Sequence, residues 1–450
     1  MKSLIKNFAI VSFVFLCGAC TNENQPLTIN GGKVLGIPSV EPGVTVFKGI
    51  PYAAPPVGDL RWKKPQPVTP WDTVMIADHF GNAAIQPGRA QGSFYYKEFQ
   101  LTGPFVTDED CLYLNVWAPT SSLGKSTKLP VAMWIHGGAY VNGCGHDDAF
   151  DGDAWAKRGV ILVTINYRLG ILGFLSHEGL SAEEANHASG NYGTYDQVAA
   201  LQWVHDNIAQ FGGDPENITV FGQSAGAASI KNLVSSPLSK GMIHRAIIQS
   251  GGGMGGFLGT NNSQAMLDSI GKSVMDEAGL TSVTAMRQAS VEQITAVMGN
   301  RGAMALCSPH NDKTLLPESF DEATYNNHLA DVEYMIGCNG DDMGDMRPSI
   351  ERFAQVRDSL GNKPVYTYYF DRKLPGDDAG AFHSAELWYM FNTLGRSWRP
   401  FTEGDYALSE QMMDYWTNFA KYGNPNGKDV DGEWKPSTYA SPYMQLLNVK

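Results

Sequence analysis

Apolar and polar positions follow two rhythms along the chain. From Leu27 to Ala77, short extended runs such as Val44-Thr45-Val46-Phe47 and Val74-Met75-Ile76 are divided by proline-rich turns, Ala54-Pro55-Pro56 and Lys64-Pro65-Gln66-Pro67. Proline cannot donate to a strand ladder, so this pattern predicts an antiparallel meander at a sheet edge. Further on, apolar or β-branched runs bounded by turn residues recur: Leu112 to Trp117, Val131 to Ile135, Val160 to Ile165, Ile218 to Phe221, Ala246 to Gln249, Val332 to Ile336 and Val365 to Phe370. Such runs are expected of strands buried on both faces of a mostly parallel sheet. Between the third and fourth, Gln197 to Phe211 has helical apolar spacing and stops at Gly212-Gly213, which returns the chain to the sheet.

Helices are also predicted over residues 263–300 and 347–360, both candidates for a cap above the carboxyl ends of the strands. Another runs from Leu408 to Tyr422, closed by Gly423-Asn424-Pro425, and Met444 to Val449 reads as a last strand. Residues 80–109 read as a long loop carrying the aromatic cluster Phe94-Tyr95-Tyr96, and such loops in compact domains are often functional. Loop-core packing and a substrate role are equally open for these aromatics. No repeat or linker divides residues 27–450, so a single α/β domain with helices flanking the sheet is expected.

Composition narrows the function classes. With 450 residues, 43% of them hydrophobic, the chain can bury a large core. A net charge of −13 argues against nucleic acid and against electrostatic docking on anionic lipid. No dinucleotide, P-loop, zinc-protease or paired-cysteine motif stands out, so neither cofactor nor metal is expected. Lys2 and Lys6 precede the apolar run Phe8 to Leu16 and the small residues that follow, which predicts an export signal over residues 1–19. The ending Leu16-Cys17-Gly18-Ala19-Cys20 resembles a bacterial lipoprotein signal, with its leucine one place early; the resemblance implies a lipid on Cys20, a tether over residues 20–26 and attachment to the cell envelope. Otherwise the chain would be periplasmic or secreted. Cys111, Cys144, Cys307 and Cys338 remain, an even count that permits two disulfides which a core this large does not need.

The candidate chemistry centres on Gly222-Gln223-Ser224-Ala225-Gly226, set between the β-branched run ending at Phe221 and the helix-forming run Ala227 to Val234. Glycine on both sides lets the backbone turn sharply from strand to helix and expose Ser224 as a nucleophile. Free N–H groups at the start of the following helix suit a developing oxyanion. Where a serine sits on such a corner, the partners follow in the order acid, then base. Of the histidines after Ser224, His244 and His328 precede strands and His310 follows none, leaving His383 after Val365 to Phe370 as the base. Asp341 and Asp342, past the strand Val332 to Ile336 and the turn Gly337-Cys338-Asn339-Gly340, are the candidate acids. Trp134-Ile135-His136-Gly137-Gly138-Ala139-Tyr140 supplies a glycine-rich loop for further oxyanion donors, with His136 structural.

Several motifs together resemble the type-B carboxylesterase family. They are Phe47 to Ala53, Glu109 to Trp117, Trp134 to Gly143, Asn166 to Gly170, Gly190 to Gly226 and Trp416 to Asn426. The resemblance implies an α/β-hydrolase fold and serine ester hydrolysis without a cofactor. It places the nucleophile on Ser224, the base on His383, the acid on Asp342, the oxyanion donors on Gly138, Ala139 and Ala225, and a supporting serine at Ser250. Three departures accompany it. The family more often has glutamate at the acid, and its cysteine at Cys111 usually pairs upstream, where this chain has alanines, implying a free buried thiol. Only 41 residues separate Asp342 from His383, which implies a reduced helical cap and a site open on one side. Short acyl esters of bulky or aromatic alcohols are therefore the expected substrates. The alternatives are an esterase acting on acetylated or feruloylated glycans, or a non-catalytic binding module on the same fold.

Overall fold

Ten strands build the central sheet of the computed structural model, which describes residues 25–99, 105–255, 263–299, 303–428 and 433–449. In chain order they are β1 Ile37–Pro38, β2 Val44–Pro51, β3 Tyr113–Pro119, β4 Leu129–Ile135, β5 Ile161–Ile165, β6 Gly213–Gln223, β7 Arg245–Gln249, β8 Glu333–Asn339, β9 Val365–Phe370 and β10 Gln445–Leu447. Across the sheet they lie in the order β10-β9-β8-β7-β6-β4-β5-β3-β2-β1. All pairs from β5 to β10 are parallel, and the β5–β3, β3–β2 and β2–β1 pairs are antiparallel. Every residue of β5 is buried, as expected of a strand covered on both faces.

Side chains alternate between two core layers. Val131, Met133 and Ile135 of β4 join the layer of α1 (Tyr192–Asn207), α2 (Ala225–Ser235) and α4 (Arg347–Ser359), through Ala200, Leu201, Ile230, Leu233, Ile350 and Phe353. Ala132 and Trp134 of the same strand face the other layer, where Met412, Met413, Trp416 and Phe419 of α5 (Glu403–Tyr422) pack. Residues two apart on a strand share a face, so one strand feeds both layers.

Four expectations change. The edge meander is not antiparallel throughout: Gly32–Leu35 pairs antiparallel with Leu27–Ile29 but parallel with Val74–Ile76. The long proline-rich connection carries the chain back to run in the same direction, while Val44–Pro51 joins the central sheet instead. The helix at 347–360 is not a cap: α4 packs its buried Ile350, Phe353 and Ala354 on the sheet face as the crossover between β8 and β9. Strand β8 continues to Asn339, so most of the anticipated turn before Asp341 is strand. The stretch 80–109 holds a short helix, Phe94–Glu98. The helices α3 (Gln264–Glu277), Val283–Gln288 and Val291–Ala296 form their own cluster with Trp62 and Gly170–Phe174 on one flank. Residues 1–24, with the export signal and Cys20, lie outside the described residues.

Candidate active site

Ser224 sits between the end of β6 and the start of α2 with φ 58° and ψ −122°, a left-handed corner that costs a non-glycine residue strain of about 1–3 kcal/mol. Its neighbours hold it there. A Cβ on Gly226 would stand 2.0 Å from the Ile135 carbonyl oxygen, so only glycine lets α2 approach β4 this closely. The Ser224 N–H donates to the Gln249 carbonyl at 2.9 Å, and its own carbonyl accepts from Ala228.

The loop after β4 lies against this corner. Gly138 has φ 107°, and a Cβ there would meet the Asn142 carbonyl oxygen at 2.0 Å; Ala139 and Tyr140 are left-handed as well, at 54° and 61°. Successive reversals of this kind expose backbone N–H groups in a concave nest. Among the described residues the N–H groups of Gly138, Ala139 and Ala225 have no backbone partner. His136 is buried beside them, its Nδ1 2.7 Å from the Gly137 carbonyl oxygen and its ring stacked on Tyr167. Burial drives its pKa down to about 4, so it is neutral at pH 7 and holds the loop rather than moving protons.

The structure brings Asp342, not Asp341, to His383. Asp342 Oδ1 lies 2.5 Å from His383 Nδ1, and the carboxylate also accepts the N–H groups of Asn339 at 3.0 Å and Met343 at 2.8 Å. Burial alone would raise its pKa, but the His383 contact and these donors outweigh it and hold the carboxyl below its ordinary value. The hydroxyl of Ser250 favours the same ionised form. Asp341 turns outward to Lys373 Nζ and the Ala381 N–H.

Several groups escaped the sequence reading. Glu386, three residues after His383, is fully buried and accepts from Asn339 Nδ2 at 2.5 Å and Gln249 Nε2 at 3.3 Å. Burial raises its pKa to about 7. Gln223 Nε2 lies 3.3 Å from His383 Nε2. A single cavity of about 450 Å³ joins the parts, lined by Ser224, His383, Gly138 and Ala139 together with Tyr95, Phe99 and Phe150. The position of His383 in its spacing was readable, whereas Glu386 within Ala385-Glu386-Leu387 carries no periodic signal of its own.

Cys111, Cys144, Cys307 and Cys338 are all buried, and no disulfide joins them. Among the described residues no group of three His, Cys, Asp or Glu side chains could hold a metal ion. What the arrangement offers is an ionised carboxylate fixing one imidazole nitrogen, a strained serine and a cluster of free N–H donors around one cavity, the parts list of acyl transfer.

Known proteins agree with that chemistry. A model described as "Carboxylesterase family" matches residues 23–360 and 345–450. The para-nitrobenzyl esterase of Bacillus subtilis (strain 168) is 33% identical, covering 91% of this chain and 92% of that one. A fumonisin B1 esterase of Sphingopyxis macrogoltabida is 38% identical over 67% of this chain but 54% of its own length, so the chain spans about half of that relative. Among solved structures, the carboxylesterase of Geobacillus stearothermophilus superposes with a TM-score of 0.78 at 30% identity, covering 94% of this chain and 96% of that one. A thermophilic PNB esterase reaches 0.81 at 30% identity, with coverage of 95% and 96%. The chain belongs to the carboxylesterase family and is a carboxylic ester hydrolase of the α/β-hydrolase fold.

Proposed function

We propose that this enzyme hydrolyses esters through an acyl-enzyme on Ser224. His383 takes the Ser224 proton as Oγ attacks the ester carbonyl, and the oxyanion forms against the N–H groups of Gly138, Ala139 and Ala225. Collapse breaks the C–O bond to the alcohol, which leaves with the proton from His383. Water then attacks the acyl-enzyme, giving its proton to His383, and the carboxylic acid departs as Ser224 recovers that proton. Asp342 keeps Nδ1 protonated throughout, so that Nε2 is the basic nitrogen. The observation that carries the reading is the 2.5 Å Asp342–His383 contact behind the cavity that Ser224 and His383 line.

For the substrate, we infer short acyl groups on bulky or aromatic alcohols. The 41 residues between Asp342 and His383 contain α4 and β9, both spent on the sheet, which leaves little chain for a covering cap. Discrimination by methylene is worth about 1–3 kcal/mol each and needs a closed wall. The likeness to a para-nitrobenzyl esterase supports an aromatic alcohol. Labelling by a fluorophosphonate should occur in wild type and vanish in Ser224→Ala; equal labelling of both defeats the nucleophile assignment. Across p-nitrophenyl esters from acetate to palmitate, kcat/KM should peak at short chains, and a maximum at palmitate defeats the open-site reading.

The reading extends to place. Residues 1–26 support an exported enzyme anchored by lipid on Cys20, two or more acyl chains sufficing for stable attachment. Cys20→Ser should move the enzyme from the membrane to the soluble fraction or leave an uncleaved precursor; an unchanged distribution counts against lipidation.

A further inference from the structure

The short helix Phe94–Glu98 forms one wall of the cavity, and its contacts converge on the segment that carries His383. Phe94 meets Phe382 edge to face at 4.8 Å. Tyr95 donates its hydroxyl to the His383 carbonyl oxygen at 3.0 Å, and its ring lines the cavity. Lys97 stands over Trp398 at 3.3 Å, and Phe99, just past the helix, stacks on Trp388. Glu98 is buried and accepts from Trp388 Nε1 at 2.9 Å and from Arg399 Nε at 2.9 Å. A helix of five residues is too short to be stable alone, so its position is set by these contacts.

The same strap supports an awkward stretch of backbone. Ser384, directly after the histidine, has φ 82°, a left-handed conformation that strains a non-glycine residue. The Tyr95 hydroxyl reaches the preceding carbonyl from outside this segment at 3.0 Å, beside the Asn339 amide that donates to the Phe382 carbonyl at 2.8 Å. From this we infer that Tyr95 is a positioning residue for His383 and at the same time a substrate-contacting wall. The inference rests on the Ser224–His383 reading above. Its ring and its hydroxyl have separable effects: the ring contacts the substrate, and the hydroxyl sets the histidine.

Two variants separate them. Tyr95→Phe keeps the ring and removes the donor, so kcat for p-nitrophenyl acetate should fall about tenfold while KM and Tm stay near wild type, because a small misplacement of a catalytic group is felt in the chemical step. Tyr95→Ala should show the same fall in kcat and, in addition, a KM raised several-fold for aryl esters and less for ethyl esters. Fluorophosphonate labelling of wild type is run alongside: its loss would defeat the Ser224 reading itself. With labelling intact, a Tyr95→Phe variant whose kcat equals wild type, or whose Tm falls in step with kcat, overturns the positioning role. An unchanged KM in Tyr95→Ala overturns the wall.

Discussion

The wall of the site built by β4, β6 and β7 and the wall built by the short helix Phe94–Glu98 differ in what fixes them. On the first, backbone lies against backbone: Gly226 beneath Ile135, Gly138 against Asn142, Ser224 tied to Gln249. Steric exclusion decides most of the geometry there, with the His136 ring on the Gly137 carbonyl and the Gln86 amide on the Gly143 peptide completing the loop. On the second, side chains do the holding, through a buried Glu98–Arg399 pair, a hydroxyl on the His383 carbonyl and stacked rings. A steric wall can fail only by rebuilding the sheet. A side-chain wall can be loosened one contact at a time, which suits the part of a site where relatives with different substrates must differ.

The largest expected effect lies on the first wall. Ser224→Ala should lower kcat by about a millionfold, as removal of a triad nucleophile does, with stability near wild type because alanine carries the same strain at φ 58°. Turnover within tenfold of wild type would place the chemistry elsewhere. Next, Glu98→Ala leaves the Arg399 guanidinium buried with Asp377 alone, and loss of one partner from a buried pair costs about 3–5 kcal/mol. Urea denaturation measures it; a loss under 1 kcal/mol would mean that the second wall is held by its aromatics and not by the pair. Gly226→Ala should cost about 2–3 kcal/mol through overpacking against the Ile135 carbonyl and also abolish labelling of Ser224. That joint loss of fold and chemistry distinguishes the first wall, since Glu98→Ala should keep Ser224 labelling.

A smaller effect concerns pH. Burial lifts Glu386 to about 7, above the ordinary glutamate value, so the folded state holds that proton more tightly. Its contribution to stability is then complete below about pH 4 and is lost as pH rises through about 7, on the order of 3 kcal/mol in all. Asp342 has the opposite sign: lowered in the fold, it contributes above the ordinary aspartate range and is lost on acidification. Glu386→Gln should therefore flatten the fall in stability between pH 5 and 7 and leave the acid side unchanged. An identical profile would show that Glu386 is ionised throughout. The smallest effect belongs to the surface: breaking Lys157–Glu41 should cost at most about 0.5 kcal/mol.

What was legible in the sequence follows the same division. The steric wall announces itself, because a strand–turn–helix corner with glycines at fixed offsets is a local pattern, and Gly222, Ser224, Gly226 and Gly137-Gly138 all stand within a few residues of the strands that place them. His383 followed from its place after β9. The choice between Asp341 and Asp342 stayed open until the side chains were seen turning opposite ways, since neighbouring residues after a strand end share every local signal. The second wall was illegible: Glu98 and Arg399 are 301 residues apart, and neither periodicity nor turn chemistry pairs residues at that distance. Parallel pairing of Gly32–Leu35 with Val74–Ile76 was hidden for a related reason, as prolines mark where a chain turns but not the direction in which it returns.

Covalent attachment of the acyl group to Ser224 is tested most directly by mass spectrometry of enzyme quenched in acid during turnover of p-nitrophenyl acetate. The expected result is a single acetyl group on the peptide carrying Ser224, absent from Ser224→Ala and cleared once substrate is exhausted. Acetyl on a different side chain that turns over at the rate of catalysis, or steady release of acetate with no acetylated Ser224 at any time point, would contradict it.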